Sequence, residues 1–296
     1  MESALYAPPS LRSVLRAYLQ LMKLPIVALL VITCVTAMFV AAGGVPDLGT
    51  LMLTMLGGAL SSGGASALNQ YWDRDMDGRM ARTARRPIPS GRVSPANALV
   101  FGLALVAWSV FVLSFVNWLA ALLALGGAIY YVVIYTMLLK RNTVVNILIG
   151  GGAGAMPVLV GWAAVTGTLT FEPFILFLIV FYWTPPHSWA LALLVNQDYS
   201  RVGVPMMPVA RGEDATRHQI LLYSIQLFLI TLLPVFFGTL GGVYLAGVLL
   251  LGGGMIYMAA RLIRQHDKAF TRATYKYTTL YLAVLFMIII FDRVLL

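Results

Sequence analysis

The chain has 296 residues, 60% of them hydrophobic and only 10% charged, with a net charge of +9 and a mean hydropathy of +0.87. That balance excludes an ordinary soluble domain, whose apolar share is about 45–50%. A single cysteine, Cys34, excludes an intrachain disulfide. The basic excess reads as charge along one membrane face, attracted to anionic membrane lipid, and no nucleic-acid partner is expected.

Residues 1–23 carry Glu2, Arg12, Arg16 and Lys23 but no apolar core before a cleavage signal, so they are expected to form a short cytoplasmic tail. Apolar spans are predicted near 24–42 and 49–69. From Val93 to Leu139 no charged residue occurs; as one helix that run would be roughly 70 Å long against a hydrocarbon core of about 30 Å. It therefore divides into 96–116 and 118–139. Further spans are predicted at 144–165 and 172–195, and the uncharged run Gln219–Ala260 divides into 219–239 and 243–262. A last span covers 275–294. The fold class is thus an all-α integral membrane protein with nine transmembrane helices. With the N-terminus cytoplasmic and the C-terminus external, every Lys and Arg except Arg293 falls on the cytoplasmic side.

The sharpest local signal is NQYWDRDMDGRMARTARRPIPSGR, residues 69–92, which holds nine of the 31 charged residues. Asn69, Asp73 and Asp77 recur every four residues and share one helix face. Two carboxylates and an amide oxygen on one face repel unless a cation lies between them. Oxygen ligands favour Mg²⁺, with Mn²⁺ as the alternative. Arg85 and Arg86 then stand ready to grip phosphate oxygens. Asp75 points the opposite way and is expected to pair with Arg74 or Arg79.

Further along, Lys140 and Arg141 leave the fourth span on the same side, within reach of a diphosphate or simply as topogenic charge. Gly150, Gly151, Gly152 and Gly154 lack the ending and the preceding strand of a nucleotide loop and imply close helix packing. His187 follows Pro185 and Pro186 inside the sixth span, where an imidazole needs a compensating partner. That partner is either a ligand or a backbone carbonyl freed at a Pro-Pro break. His218 and His266 read as loop residues. Asn196-Gln197 repeats the Asn69-Gln70 pair at a matching span exit, and Asp198 is the only acid between Pro173 and Gly212, a thin basis for a second metal. Tyr71, Trp72, Tyr130, Tyr131, Tyr135, Phe181, Tyr182, Trp183 and Trp189 gather near the cytoplasmic span ends, as an interfacial belt or a shield for a cation.

At NQYWDRDMD the chain resembles the UbiA-type intramembrane prenyltransferases. RTARRPIPSGRVSP, YTMLLKRNTVVNILIGGGAGAMPVLVGW, WTPPHSWALAL and DYSRVGVPMMPV resemble, more narrowly, the heme-farnesylating branch of that family. The likeness covers roughly residues 20–292. It implies a nine-helix bundle with a central cavity under cytoplasmic cap loops, about 70–95 and 196–218. It implies Mg²⁺ held by Asn69, Asp73 and Asp77, with Asn69, Arg85, Arg86, Lys140 and Arg141 on the diphosphate of farnesyl diphosphate. It further implies second-loop substrate contacts at Asn196, Asp198 and Tyr199, and catalytic roles for Asp73, Asp77 and His187. Heme b is then the acceptor substrate, and a heme A synthase or terminal oxidase assembly the downstream partner, in a bacterial or archaeal cytoplasmic membrane. Many relatives carry a second aspartate pair where this chain has Asp198 alone. The alternatives are a prenyltransferase acting on an aromatic quinone precursor, a transporter, and a non-catalytic assembly protein.

Overall fold

The computed structural model describes residues 10–295, and every element among them is helical. A first helix, α1 (Leu11–Met22), precedes the long helices α2 (Leu24–Ala42) and α3 (Leu48–Trp72). A four-residue turn of helix, α4 (Arg74–Asp77), leads to α5 (Pro95–Ser114) and α6 (Trp118–Ile129). α6 continues without interruption as a π-helix over Tyr130–Leu139. Then come α7 (Asn146–Thr166), α8 (Glu172–Leu194), the short α9 (Asn196–Val202) and α10 (Met207–Arg211), and finally α11 (Glu213–Phe236), α12 (Gly242–Arg264) and α13 (Lys268–Leu295).

Nine of the described helices, counting Trp118–Leu139 as one, are long and apolar enough to cross a membrane. They match the nine predicted spans, and the chain is an integral membrane protein. The seventh and ninth helices begin six and seven residues earlier than hydropathy indicated, at Glu213 and Lys268. Polar residues end the apolar stretch without ending the helix, because helical bonding does not depend on side-chain polarity.

The ends of the bundle are unequal. One end carries only tight links, such as 43–47 and 115–117, while α1, α4, α9 and α10 all gather at the other. Within the expected tail, residues 11–22 form a packed helix. Ser10 caps α1 by accepting from the Ser13 amide, and Ala17 and Leu21 bury one face against Ala67, Val93 and Ala98. Gln70 Nε2 donates to the Leu21 carbonyl at 2.8 Å. Residues 1–9 of the expected tail lie outside the described residues. α1 leaves Leu11, Leu15 and Leu19 exposed on its other face, the pattern of a helix lying in a membrane interface.

Small residues set the closest helix contacts, as the glycine run implied. A Cβ on Gly161 would collide with the Cys34 carbonyl of α2, and one on Gly150 with the Tyr135 ring. The run on α7 is a seat for the tyrosines of the π-helix. Tyr130 closes the contact by donating its hydroxyl proton to the Ile149 carbonyl at 2.9 Å.

Candidate active site

α3 ends at Trp72, Asp73 is its C-cap, and helix resumes in α4. Despite that small break Asn69, Asp73 and Asp77 stay neighbours, only 2%, 0% and 1% exposed. Buried carboxylates require partners, and each has one, Asp73 from a distant segment and Asp77 from the loop that follows it. Lys140 Nζ bonds Asp73 Oδ2, which also accepts from Asn69 Nδ2 at 2.9 Å. Arg86 Nη1 reaches Asp77 Oδ2 at 2.6 Å.

The winding of the π-helix delivers Lys140. Its amide bonds the carbonyl of Tyr135, five residues back, at 2.8 Å. Within the same stretch Thr136 turns inward and accepts from Asn69 Nδ2 at 3.1 Å. π-helical turns are rare and occur often at functional sites.

A further cation, Lys23, escaped the sequence reading, which counted it only as topogenic charge. Its Nζ donates to Asn69 Oδ1 at 3.0 Å. Burial, with Arg86 and Lys140 nearby, pulls its ammonium down to about 7. Lys23 is also the one non-glycine with positive φ among the described residues, at 55°. Strain of this kind concentrates at working sites. The only trace in sequence was its place between two helices, immediately before Leu24-Pro25.

Other expected residues fall elsewhere. Asp75 pairs with Arg141, at 2.8 and 3.0 Å, and not with Arg74 or Arg79; the Arg141 hydrogen bond holds its carboxyl down to about 2. Arg74 instead lies over the Tyr71 ring and donates to the Tyr71 carbonyl. Arg141 spans two acids, with Nη2 3.6 Å from Asp73 Oδ1. Arg85 is exposed, and its carbonyl accepts from Arg92 Nη2 at 2.7 Å.

The second loop meets the first. Asp198 accepts the backbone amides of Ala81 and Arg82 at 3.3 and 3.2 Å, pinning the arginine-rich segment from across the cap. Asn196 donates to Glu213 at 3.1 Å, and Tyr199 is buried among Met76, Met80 and Met206.

Beside the charged cluster lies a cavity of about 450 Å³, within the usual range for a small-molecule site. Lys23 forms part of its lining, along with Tyr131, Tyr135, Trp183, His187 and Tyr275. Tyr131 and Tyr135 stack with centroids 5.6 Å apart, while Trp189 is buried away in the cap cluster. α8 runs unbroken through Pro185 and Pro186, so the expected Pro-Pro break does not form. The partner of His187 is the Thr278 hydroxyl, 2.8 Å from Nδ1, and no freed carbonyl. Tyr275 and Thr278 come from α13, where no motif marked them.

Among the described residues no three His, Cys, Asp or Glu converge as a metal cluster. The oxygen set of Asp73, Asp77 and Asn69 nevertheless fits a hard cation. Asp73 Oδ1 is buried and accepts no hydrogen bond, with only the 3.6 Å ion pair to Arg141 for a bound cation to replace.

The chain is 52% identical over 281 residues to the protoheme IX farnesyltransferase of Symbiobacterium thermophilum, covering 94% of each. It is 49% identical to that of Roseiflexus sp. (strain RS-1), covering 95% of this chain but only 53% of the relative, so it spans about half that protein's length. A UbiA homolog from Archaeoglobus fulgidus, solved with GPP and Mg²⁺, shares the fold with a TM-score of 0.64 at 17% identity, covering 92% of this chain and 99% of that one. The model of the UbiA prenyltransferase family matches residues 30–288. By that match and by its identity to these relatives, the chain belongs to the UbiA prenyltransferase family.

Proposed function

We propose that this protein transfers the farnesyl group of farnesyl diphosphate to a vinyl group of heme b, with addition of water, giving heme O and diphosphate. The observation that carries the reading is the junction at Lys23. There a cluster of two buried carboxylates and several cations abuts an apolar, aromatic-lined cavity whose wall includes an imidazole. Such a junction suits a substrate with a diphosphate head and an isoprenoid tail. The name of the Symbiobacterium relative, at 94% coverage of both chains, supports heme as the acceptor. An aromatic quinone precursor would leave His187 without a use.

Asp73 and Asp77, with the Asn69 amide oxygen, would hold Mg²⁺, and the homolog solved with GPP and Mg²⁺ supports that assignment. When bound, the ion supplies positive charge to the departing diphosphate oxygens. Lys23, Arg86 and Lys140 then exchange their present partners for diphosphate oxygens and stabilise the leaving group. The C1–O bond of farnesyl diphosphate breaks with its electron pair going to diphosphate. Tyr131, Tyr135 and Trp183 line the cavity and would shield the farnesyl cation. The terminal vinyl carbon of heme attacks C1, the cation passes to the carbon beside the pyrrole ring, and water adds there with loss of a proton.

The cap segments 70–95 and 196–218 would face the cytoplasm, with the N-terminus inside and the C-terminus external, a reading that the distribution of Lys and Arg supports. The product would pass to another membrane protein, such as a heme A synthase or an assembling terminal oxidase. The test is incubation of purified protein with heme b, farnesyl diphosphate and Mg²⁺, followed by mass analysis of the porphyrin. Heme mass increased by one farnesyl and one hydroxyl group is expected; unchanged heme alongside prenylation of an aromatic acid would overturn the reading.

A further inference from the structure

We propose that Thr278 is a positioning residue that fixes the His187 proton on Nδ1, so that Nε2 offers its lone pair to the iron of the porphyrin substrate. This rests on the heme reading above.

The hydrogen bonds determine the tautomer. Thr278 Oγ1 lies 2.6 Å from the Tyr275 carbonyl oxygen. Two oxygens that close need a proton between them, and the hydroxyl has only one to give. Thr278 can therefore only accept from His187 Nδ1, 2.8 Å away, which makes Nδ1 the protonated nitrogen. A neutral imidazole then carries its lone pair on Nε2. No partner for Nε2 exists among the described residues, and His187 forms part of the cavity wall.

The same residue also fixes the plane of the ring. His187 is held between Trp183, with centroids 4.3 Å apart and planes at 19°, and Tyr275, at 4.8 Å and 30°. The Trp183 indole N–H donates to the Thr278 carbonyl at 2.7 Å. Thr278 thus anchors one slab of the sandwich through its backbone and sets the proton through its side chain.

An imidazole nitrogen of fixed tautomer and fixed plane is the usual ligand for iron. The outer partner matters too. A carboxylate on the far nitrogen makes a ligating histidine more basic, whereas a threonine hydroxyl does so far less. The axial bond would be correspondingly weak, which suits a porphyrin that must leave as product rather than stay as a prosthetic group.

The experiment is a titration of heme b into the purified full chain and into Thr278→Val, Thr278→Ala, Thr278→Ser and His187→Ala. It is read by absorption and by the iron–histidine stretch in resonance Raman, with melting curves and farnesyl diphosphate binding as controls. The wild type and Thr278→Ser should show the histidine band. Thr278→Val and Thr278→Ala should lose it, with heme affinity falling about 10-fold to 100-fold, the usual effect of removing an outer partner, and farnesyl diphosphate binding unchanged. His187→Ala should lose the band, and added imidazole should restore it. A normal band in whichever of Thr278→Val and Thr278→Ala is folded overturns the role of Thr278. A wild-type spectrum in His187→Ala overturns iron ligation. A wild-type protein that makes heme O without any histidine band overturns this inference and leaves the proposed reaction standing. One that neither binds nor alters heme overturns both.

Discussion

Lys140 and Asp73, 67 residues apart in the chain, meet as a buried ion pair. The pair occupies the place proposed for metal and diphosphate, so substrate loading must part it. Removing the ammonium alone strands the Asp73 carboxylate, at a cost of about 3–5 kcal/mol for a buried pair. Lys140→Met should therefore melt earlier than the wild type, and Mg²⁺ without farnesyl diphosphate should recover more of the loss than it adds to the wild type. Thermal shifts over a MgCl₂ series check this; equal shifts in both proteins would separate Asp73 from the metal.

Asp73 and Asp77 are buried, while the Asp75 side chain is 55% exposed on the Arg141 guanidinium. Asp73→Asn and Asp77→Asn should lower kcat by at least about 100-fold, the scale of losing one preorganised electrostatic contact to a leaving group. Asp75→Asn removes an exposed pair worth about 0–1 kcal/mol and should leave kcat within about fivefold. Steady-state diphosphate release measures all three, and comparable losses would undo the distinction between buried and exposed acids.

Asp198 holds two amides of the arginine-rich segment. Hydrogen bonds to a charged group are worth about 1.5–3 kcal/mol, so Asp198→Ala should loosen that segment. The expected outcome is a KM for farnesyl diphosphate raised roughly tenfold, equivalent to about 1.4 kcal/mol, with faster proteolysis between residues 78 and 92. The Mg²⁺ concentration for half-maximal rate should stay put. If that concentration climbs instead, Asp198 is a metal ligand and not a tie between loops.

Gly150 faces the Tyr135 ring, which a Cβ would overlap. Gly150→Ala should push Tyr135 into the cavity and destabilise the protein by about 1–3 kcal/mol, the range for overpacking. Gly253, exposed on α12 with open space beside it, is the control, and Gly253→Ala should be nearly silent in both melting temperature and turnover.

Composition made the bundle legible, because a span is set by length and apolarity alone. Asn69, Asp73 and Asp77 were legible through their spacing, since a helix converts an interval of four into a shared face. What the spacing did not reveal was who answers those charges. Lys23, Thr136 and Lys140 arrive from other helices, and their approach depends on packing rather than on any local pattern. Asp75 was misassigned for the same reason: a neighbouring arginine in sequence lost to Arg141, carried in by the π-helix. His187 stood out as an imidazole in an apolar span, but its partner Thr278 sits 91 residues away in a helix with no motif. The Pro-Pro pair suggested a break that tertiary packing overrode.

The π-helix from Tyr130 to Leu139 gives the cluster a dependence on phase. Its bonds reach back five residues where an α-helix reaches back four, so the stretch stores surplus chain in wider turns. If the stretch tightened to the commoner winding with every residue in place, each residue would advance further around the axis and everything downstream would turn with it. Lys140 and Arg141 come directly after the stretch, and both would swing clear of Asp73. The helix would survive such a rewinding with a full ladder of hydrogen bonds and its apolar surface still buried in lipid. The site would lose two cations through a change of angle alone.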